Sequence, residues 1–149
     1  MRDLITAAVK DAMKAGDKRR VSTLRMVQAG IKDRDIEARG QGKQVSDQDI
    51  LGLLQKMVKS RQESLEIYEK AGREDLAAQE REEIAIISGF LPKGLSDQEV
   101  ENAVAAAIAE AGATSIKDMG KVVAALRAKF AGRMDFGKAS QLVKARLGG

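Results

Sequence analysis

Gly89-Phe90-Leu91-Pro92-Lys93-Gly94 is the stretch on which the architecture turns. Pro92 is the sole proline of the 149-residue chain. Its ring removes a backbone donor and clashes with the preceding helical turn, and it biases Leu91 away from the α region. A helix approaching from upstream must therefore stop here. Ser96 follows, with Glu99 three residues further on, the reciprocal pattern of a capping box that opens a new helix. The chain divides at this point into a helical N-terminal part, residues 1–94, and a smaller C-terminal part, residues 95–149.

Working outward, apolar residues recur at helical spacing on both sides. Upstream, Leu4, Ile5, Ala8, Val9, Ala12 and Met13 mark one face of a helix over 2–15. Gly16-Asp17 punctuates it. A second helix is expected over 18–38, with Val21, Leu24, Val27 and Ile31 inward. Ser46 and Asp49 open a third, whose face carries Ile50, Leu54, Met57, Val58, Leu65 and Tyr68. Gly72 ends that helix as a left-handed C′ residue. A fourth spans 73–88 and buries Leu76, Ile84 and Ile87. Downstream, the fifth helix buries Val100, Val104, Ala107 and Ile108 and stops at Gly112. The sixth covers 116–130 with Met119, Val122, Val123, Leu126 and Phe130 inward. Gly132 closes it, and Asp135 caps a seventh that carries Phe136, Ala139, Leu142, Val143 and Leu147. No segment alternates at the period of a strand. Aromatic residues are only 3% of the chain, so its core is built from aliphatic side chains. The fold class expected is all-α, a two-part multihelical protein ending in a three-helix domain.

Several chemistries are missing from the residue inventory. There is no cysteine and no histidine, which excludes disulfides, thiolate zinc sites and the commonest general base at neutral pH. No phosphate-binding loop motif is present. Ser22, Thr23, Ser60, Ser64, Ser88 and Ser140 have no histidine to activate them, and no spacing argues for a deprotonated lysine. Glu80, Glu82 and Glu83 read as a solvated or salt-bridged acidic helix face rather than a cation site. No cofactor, no metal and no catalytic residue are expected. The longest apolar run, 103–109, is far short of the roughly 20 residues of a membrane span. With no secretory signal visible, the expected location is cytoplasmic.

Charge is distributed unevenly. Residues 1–43 carry 11 Lys/Arg against 6 Asp/Glu, residues 44–112 carry 7 against 14, and residues 113–149 carry 8 against 2. The basic end attracts attention because phosphate backbones seek such surfaces. Lys117, Lys121, Arg127, Lys129, Arg133, Lys138, Lys144 and Arg146 crowd its helices and loops. The helix starts near Ile116 and Phe136 are expected to offer unpaired N–H groups to a phosphate. Gly120 and Gly137 would allow close backbone approach, although for Gly120 alone a tight helix–helix contact is the favoured reading. Phe130 and Phe136 fall on apolar faces, so stacking platforms for unpaired bases are lacking, and any RNA would be held by shape and backbone contacts. The candidate nucleic-acid-binding residues are Lys117, Lys121, Arg127, Arg133, Lys138 and Lys144.

A set of ordered motifs resembles the GatB/YqeY family, specifically its free-standing YqeY-like members: Ser22-Thr23-Leu24-Arg25-Met26, Ala71-Gly72-Arg73-Glu74-Asp75-Leu76, Phe90-Leu91-Pro92-Lys93, Lys117-Asp118-Met119-Gly120-Lys121-Val122-Val123 and Gly132-Arg133-Met134-Asp135. The resemblance implies an all-α protein whose C-terminal part is similar to the tail domain of the B subunit of the glutamine-dependent aspartyl/glutamyl-tRNA amidotransferase, where that domain helps to hold tRNA. It carries a tRNA-contact role to Lys121, Arg133, Lys138 and Lys144. The amidotransferase's carbon–nitrogen ligase activity, with glutamine as amido-N-donor, would reach this chain by family inheritance only, because the chain has no room for the glutaminase and kinase-like parts. The function expected is a non-catalytic tRNA-binding accessory module. A protein–protein adaptor in translation, docking a tRNA synthetase, and a role beside amidotransferase subunits are the alternatives.

Overall fold

A computed structural model of the chain describes residues 1–148. Among these residues there are seven α-helices, one 3-10 turn and no strand: α1 Arg2–Ala15, α2 Lys18–Gly40, α3 Asp47–Lys70, α4 Glu74–Ser88, α5 Asp97–Ala111, the turn Ile116–Asp118, α6 Met119–Phe130 and α7 Phe136–Gly148. The protein is all-α, as the periodicity predicts. Residue contacts group the chain into two compact units, Met1–Leu91 and Pro92–Gly149.

The helix boundaries follow local chemistry. Both capping boxes form: Ser46 Oγ accepts from the Asp49 N–H at 3.1 Å while Asp49 accepts from the Ser46 N–H at 2.9 Å. Ser96 and Glu99 exchange the same pair of bonds at 3.1 Å each. Those bonds from Ser96, backbone first, hold the Glu99 carboxyl below its ordinary value. At Gly112 the backbone turns left-handed, with φ 62°, and its N–H returns to the last carbonyls of α5. A side chain there would strain the cap.

In the first unit, α1 packs on α2, α3 on α4, and α2 against both α3 and α4. Ile5, Val27, Ile31, Ile50, Leu54 and Ile87 form the buried cluster. The stripe of α1 is narrower than its sequence suggests. Ile5, Val9 and Ala12 are buried, whereas Leu4 and Met13 are 64% and 55% exposed. One partner helix covers only the centre of an apolar face, so its two flanks stay in water. On α3 only Ile50 and Leu54 are fully buried, and on α4 Leu76 and Ile84 are half-buried beside fully buried Ala77 and Ile87.

The second unit is a three-helix bundle around Val104, Ala107, Val122, Leu126, Met134, Ala139 and Val143. Its directions can be read from the ends. The Leu95 N–H donates to the Arg133 carbonyl at 2.8 Å, and Lys121 Nζ approaches the Ala111 carbonyl at 3.4 Å. The end of α6 thus lies beside the start of α5, and its start beside the end of α5. Arg127 lies over the Phe136 ring, and Gly148 sits against the Ile116 side chain, so α7 runs back along α6. Residues 116–118, expected as the first turn of the sixth helix, wind instead as a 3-10 turn.

Candidate nucleic-acid interface

Helix direction sorts the six candidate cations. Lys117 in the 3-10 turn and Lys121 in the first turn of α6 lie at the bundle end where α5 finishes, as the Lys121–Ala111 contact shows. Lys144 shares a helix face with Gly148, four residues on, and Gly148 touches Ile116 next to Lys117. These three lysines, all exposed, gather at one end. Arg133 and Lys138 belong to the opposite end, beside the start of α5. The 12 residues of α6 separate the two ends by about 18 Å.

Three of the six have structural contacts of their own: Lys121, whose Nζ donates to the Ala111 carbonyl at 3.4 Å, and the two arginines. Arg133 is half-buried; its Nε–H donates to the Lys93 carbonyl at 3.1 Å and its guanidinium lies 6.0 Å from the Phe130 ring centroid. Together with the Leu95–Arg133 backbone bond it ties the 93–95 segment to the loop after α6. The Arg127 guanidinium stands 5.2 Å from the Phe136 centroid, a cation–π distance. Phe130 and Phe136 pack against the core, as their apolar positions suggest. The cations above them hide part of each ring.

The helix starts differ from expectation. Near Phe136 the N–H groups of the first turn are already taken, and near Ile116 the two N–H groups just before the turn are taken. Asp135 Oδ1 accepts from the Gly137 N–H at 2.9 Å and from the Lys138 N–H at 3.3 Å. Asp118 Oδ2 accepts from the Thr114 and Ser115 N–H groups at 3.0 and 3.4 Å, and these bonds hold its pKa below the ordinary value. Each start already carries an anion supplied by its own chain. Gly120 also departs from the packing reading: a Cβ placed there would meet nothing within 4 Å, so no helix presses on it.

The second unit has nine Lys/Arg and six Asp/Glu. Three of those carboxylates, Glu99, Asp118 and Asp135, are committed to backbone N–H groups. The described ion pairs, such as Arg2–Asp35, Arg19–Glu82, Arg61–Glu83 and Arg81–Glu74, join residues of the first unit. Among the described residues, Lys117, Lys121, Lys138 and Lys144 have no carboxylate within 4.0 Å.

The first unit holds the acidic run of α4, which is salt-bridged as expected, through Arg19–Glu82 and Arg61–Glu83, but partly buried. Glu83 is only 6% exposed. Its Oε2 accepts from Arg61 Nε at 3.2 Å and its Oε1 from Gln79 Nε2 at 3.2 Å, with Arg19 Nη1 at 4.0 Å. Glu80, one turn earlier, has a buried Oε2 without a hydrogen-bond partner, and desolvation, helped by the Glu83 charge, raises its pKa. Thr23 is wholly buried and its hydroxyl also lacks a partner. The signal available in the sequence was spacing: Glu83 stands four residues before Ile87, on the apolar stripe of α4. No cluster of three or more potential metal-ligating side chains occurs among the described residues, and no described helix is long and apolar enough to cross a membrane.

An all-helical chain with two compact units, the second basic and with three of its six carboxylates bonded to backbone N–H groups, is the class that fold and surface define. The chain belongs to the Yqey-like protein family, whose pattern matches residues 2–147. It is 37% identical over 83 residues to the Altered inheritance of mitochondria protein 41, mitochondrial, of Lachancea thermotolerans, an alignment covering 56% of this chain and 43% of that one. The protein of the same name from Pyrenophora tritici-repentis is 32% identical over 87 residues, 58% of this chain and 46% of the relative. An uncharacterised Schizosaccharomyces pombe protein is 33% identical over 94 residues, 63% of this chain and 74% of its own. The aligned stretch spans less than half the length of the two mitochondrial relatives.

Proposed function

We propose that this chain is a non-catalytic accessory module that holds tRNA through its second unit, in the manner of the amidotransferase tail domain its motifs resemble. One observation carries the reading. The second unit commits Glu99, Asp118 and Asp135 to its own backbone, and Lys117, Lys121, Lys138 and Lys144 stand in solvent without ion-pair partners among the described residues. Unpaired lysines are available to neutralise phosphates, which is the sequence-independent part of nucleic-acid affinity. Their placement at two ends about 18 Å apart suits contacts along a backbone rather than capture of a single phosphate. Arg127 and Arg133 enter this reading differently, Arg127 as a stacked and still exposed cation, Arg133 as a residue that positions the 93–95 segment. The compartment proposed is the cytoplasm; two of the relatives are mitochondrial by name.

The test is binding of bulk tRNA by the full chain across a salt series. Affinity should fall with salt, at a log–log slope of about −0.7 to −0.9 per neutralised phosphate. Lys121→Glu and Lys144→Glu should each weaken binding and reduce the slope by about one, while Arg25→Glu in the first unit leaves both unchanged. No tRNA binding at low salt, or equal losses from all three variants, overturns the proposal.

A further inference from the structure

The first unit has an open apolar groove of about 600 Å³ beside the turn between α1 and α2. Its walls include Ala12 and Met13 of α1 and Val21 of α2, with Lys18 and Arg25 also lining it and no carboxylate among the lining residues. Met13 is 55% exposed, so the fold does not use its side chain as core. Arg25 reaches the Met13 sulfur with Nη2 at 3.8 Å, and among the described residues no carboxylate lies within 4.0 Å of Arg25 or Lys18. The neighbouring Asp17 caps α2, its Oδ1 accepting from the Arg20 N–H at 3.1 Å, and among the described residues it forms no ion pair with either cation.

A groove of this kind combines two demands. Its apolar wall is satisfied by aliphatic side chains, and a methionine wall adapts its shape to them. Its two free cations are satisfied by anions held beside that apolar surface. A phosphate backbone supplies the charge without the aliphatic groups, and a plain apolar segment supplies the reverse. The α2 part of the groove, Lys18 to Arg25, rises about 10 Å, or two helical turns. That length matches the apolar anchors of a short amphipathic helix at i, i+3/i+4 and i+7. We propose that this groove docks an acidic amphipathic helix of a partner protein, its aliphatic face against Ala12, Met13 and Val21 and its carboxylates on Lys18 and Arg25. This surface is separate from the lysines of the second unit and does not depend on the tRNA reading.

The experiment uses the full ¹⁵N-labelled chain and a helix-forming peptide of about 15 residues, with Leu at i, i+3, i+4 and i+7 and Glu at the flanking positions. The expected result is saturable shifts of backbone amides within residues 12–25. Arg25→Glu and, as a second variant, Lys18→Glu should each weaken binding about fivefold, with helical content unchanged by circular dichroism. A peptide with the same leucines and Lys in place of Glu should not shift these amides. The proposal is overturned if the acidic and basic peptides act alike, if the shifts fall elsewhere, or if bulk tRNA or phosphatidylglycerol vesicles move these amides and the acidic peptide does not.

Discussion

Glu80, Glu82 and Glu83 lie within a single turn of α4, yet each has a different environment. Glu82 is exposed and pairs with Arg19 Nε at 3.1 Å. Glu83 is buried among Arg61, Gln79 and Arg19. Glu80 is half-buried, with one oxygen unpartnered and its pKa raised, first by desolvation and then by the Glu83 charge. A carboxyl whose pKa rises on folding binds its proton more tightly in the folded chain, so stability is greatest below the ordinary value of 4.5 and is lost as pH rises through the folded value. Glu80→Gln removes that loss. Chemical denaturation should find the variant more stable than the parent at pH 7, with the advantage shrinking as pH is lowered towards 4.5. A variant that is less stable at pH 7 would show that Glu80 is stabilised as a carboxylate. The acidic run was legible in the sequence. The difference between its members was not, because it depends on which direction along α4 faces α2 and α3.

Between elements, the Arg61–Glu83 pair joins α3 to α4, and Arg19 brings α2 to the same carboxylate. Its side chains are 16% and 8% exposed, so its strength is that of a shielded pair rather than a surface one. Arg61→Met leaves Glu83 buried with only Gln79 and the more distant Arg19, and should cost about 3 kcal/mol of stability. Adding Glu83→Leu removes the stranded charge, and urea melts of the double variant should recover most of that loss. If the double variant is as unstable as the sum of both singles, the two residues act independently. Helix positions and caps were readable from local sequence, because a capping box needs only residues three apart, as at Ser46/Asp49 and Ser96/Glu99. The same local logic shows why a carboxylate of the chain already sits at the starts near Ile116 and Phe136. Asp118 and Asp135 are the two acidic residues of the basic end, and both cap N–H groups.

At the scale of the whole molecule, the segment just after Pro92 closes the second unit. The Leu95 N–H and the Lys93 carbonyl both bond to Arg133. We propose that this unit folds as a domain, and that its natural start includes Pro92 and Lys93. A fragment of residues 92–149 should then unfold cooperatively on heating, and one of residues 95–149 should be less stable by about 1 kcal/mol, since it lacks the Lys93 acceptor. Equal stability of the two fragments would mean that the Arg133–Lys93 bond contributes nothing. Arg133 was read from its motif as a tRNA contact; its half-burial and its bond across 40 residues of sequence were beyond any local pattern.

Spacing, capping residues and a lone proline determined by themselves that this chain is helical, where most of its helices begin and end, and which end is basic. These properties depend on residues a few positions apart, and the backbone responds to them locally. The tertiary structure alone decided which charges are free. It buried Glu83 and left Met13 in water. It sent Lys117, Lys121 and Lys144 to one end of a bundle and Lys138 to the other. The physical reason is that exposure and pairing are properties of packed helices: a side chain's partners come from whichever element lies against it, and residues far apart in the sequence supply them.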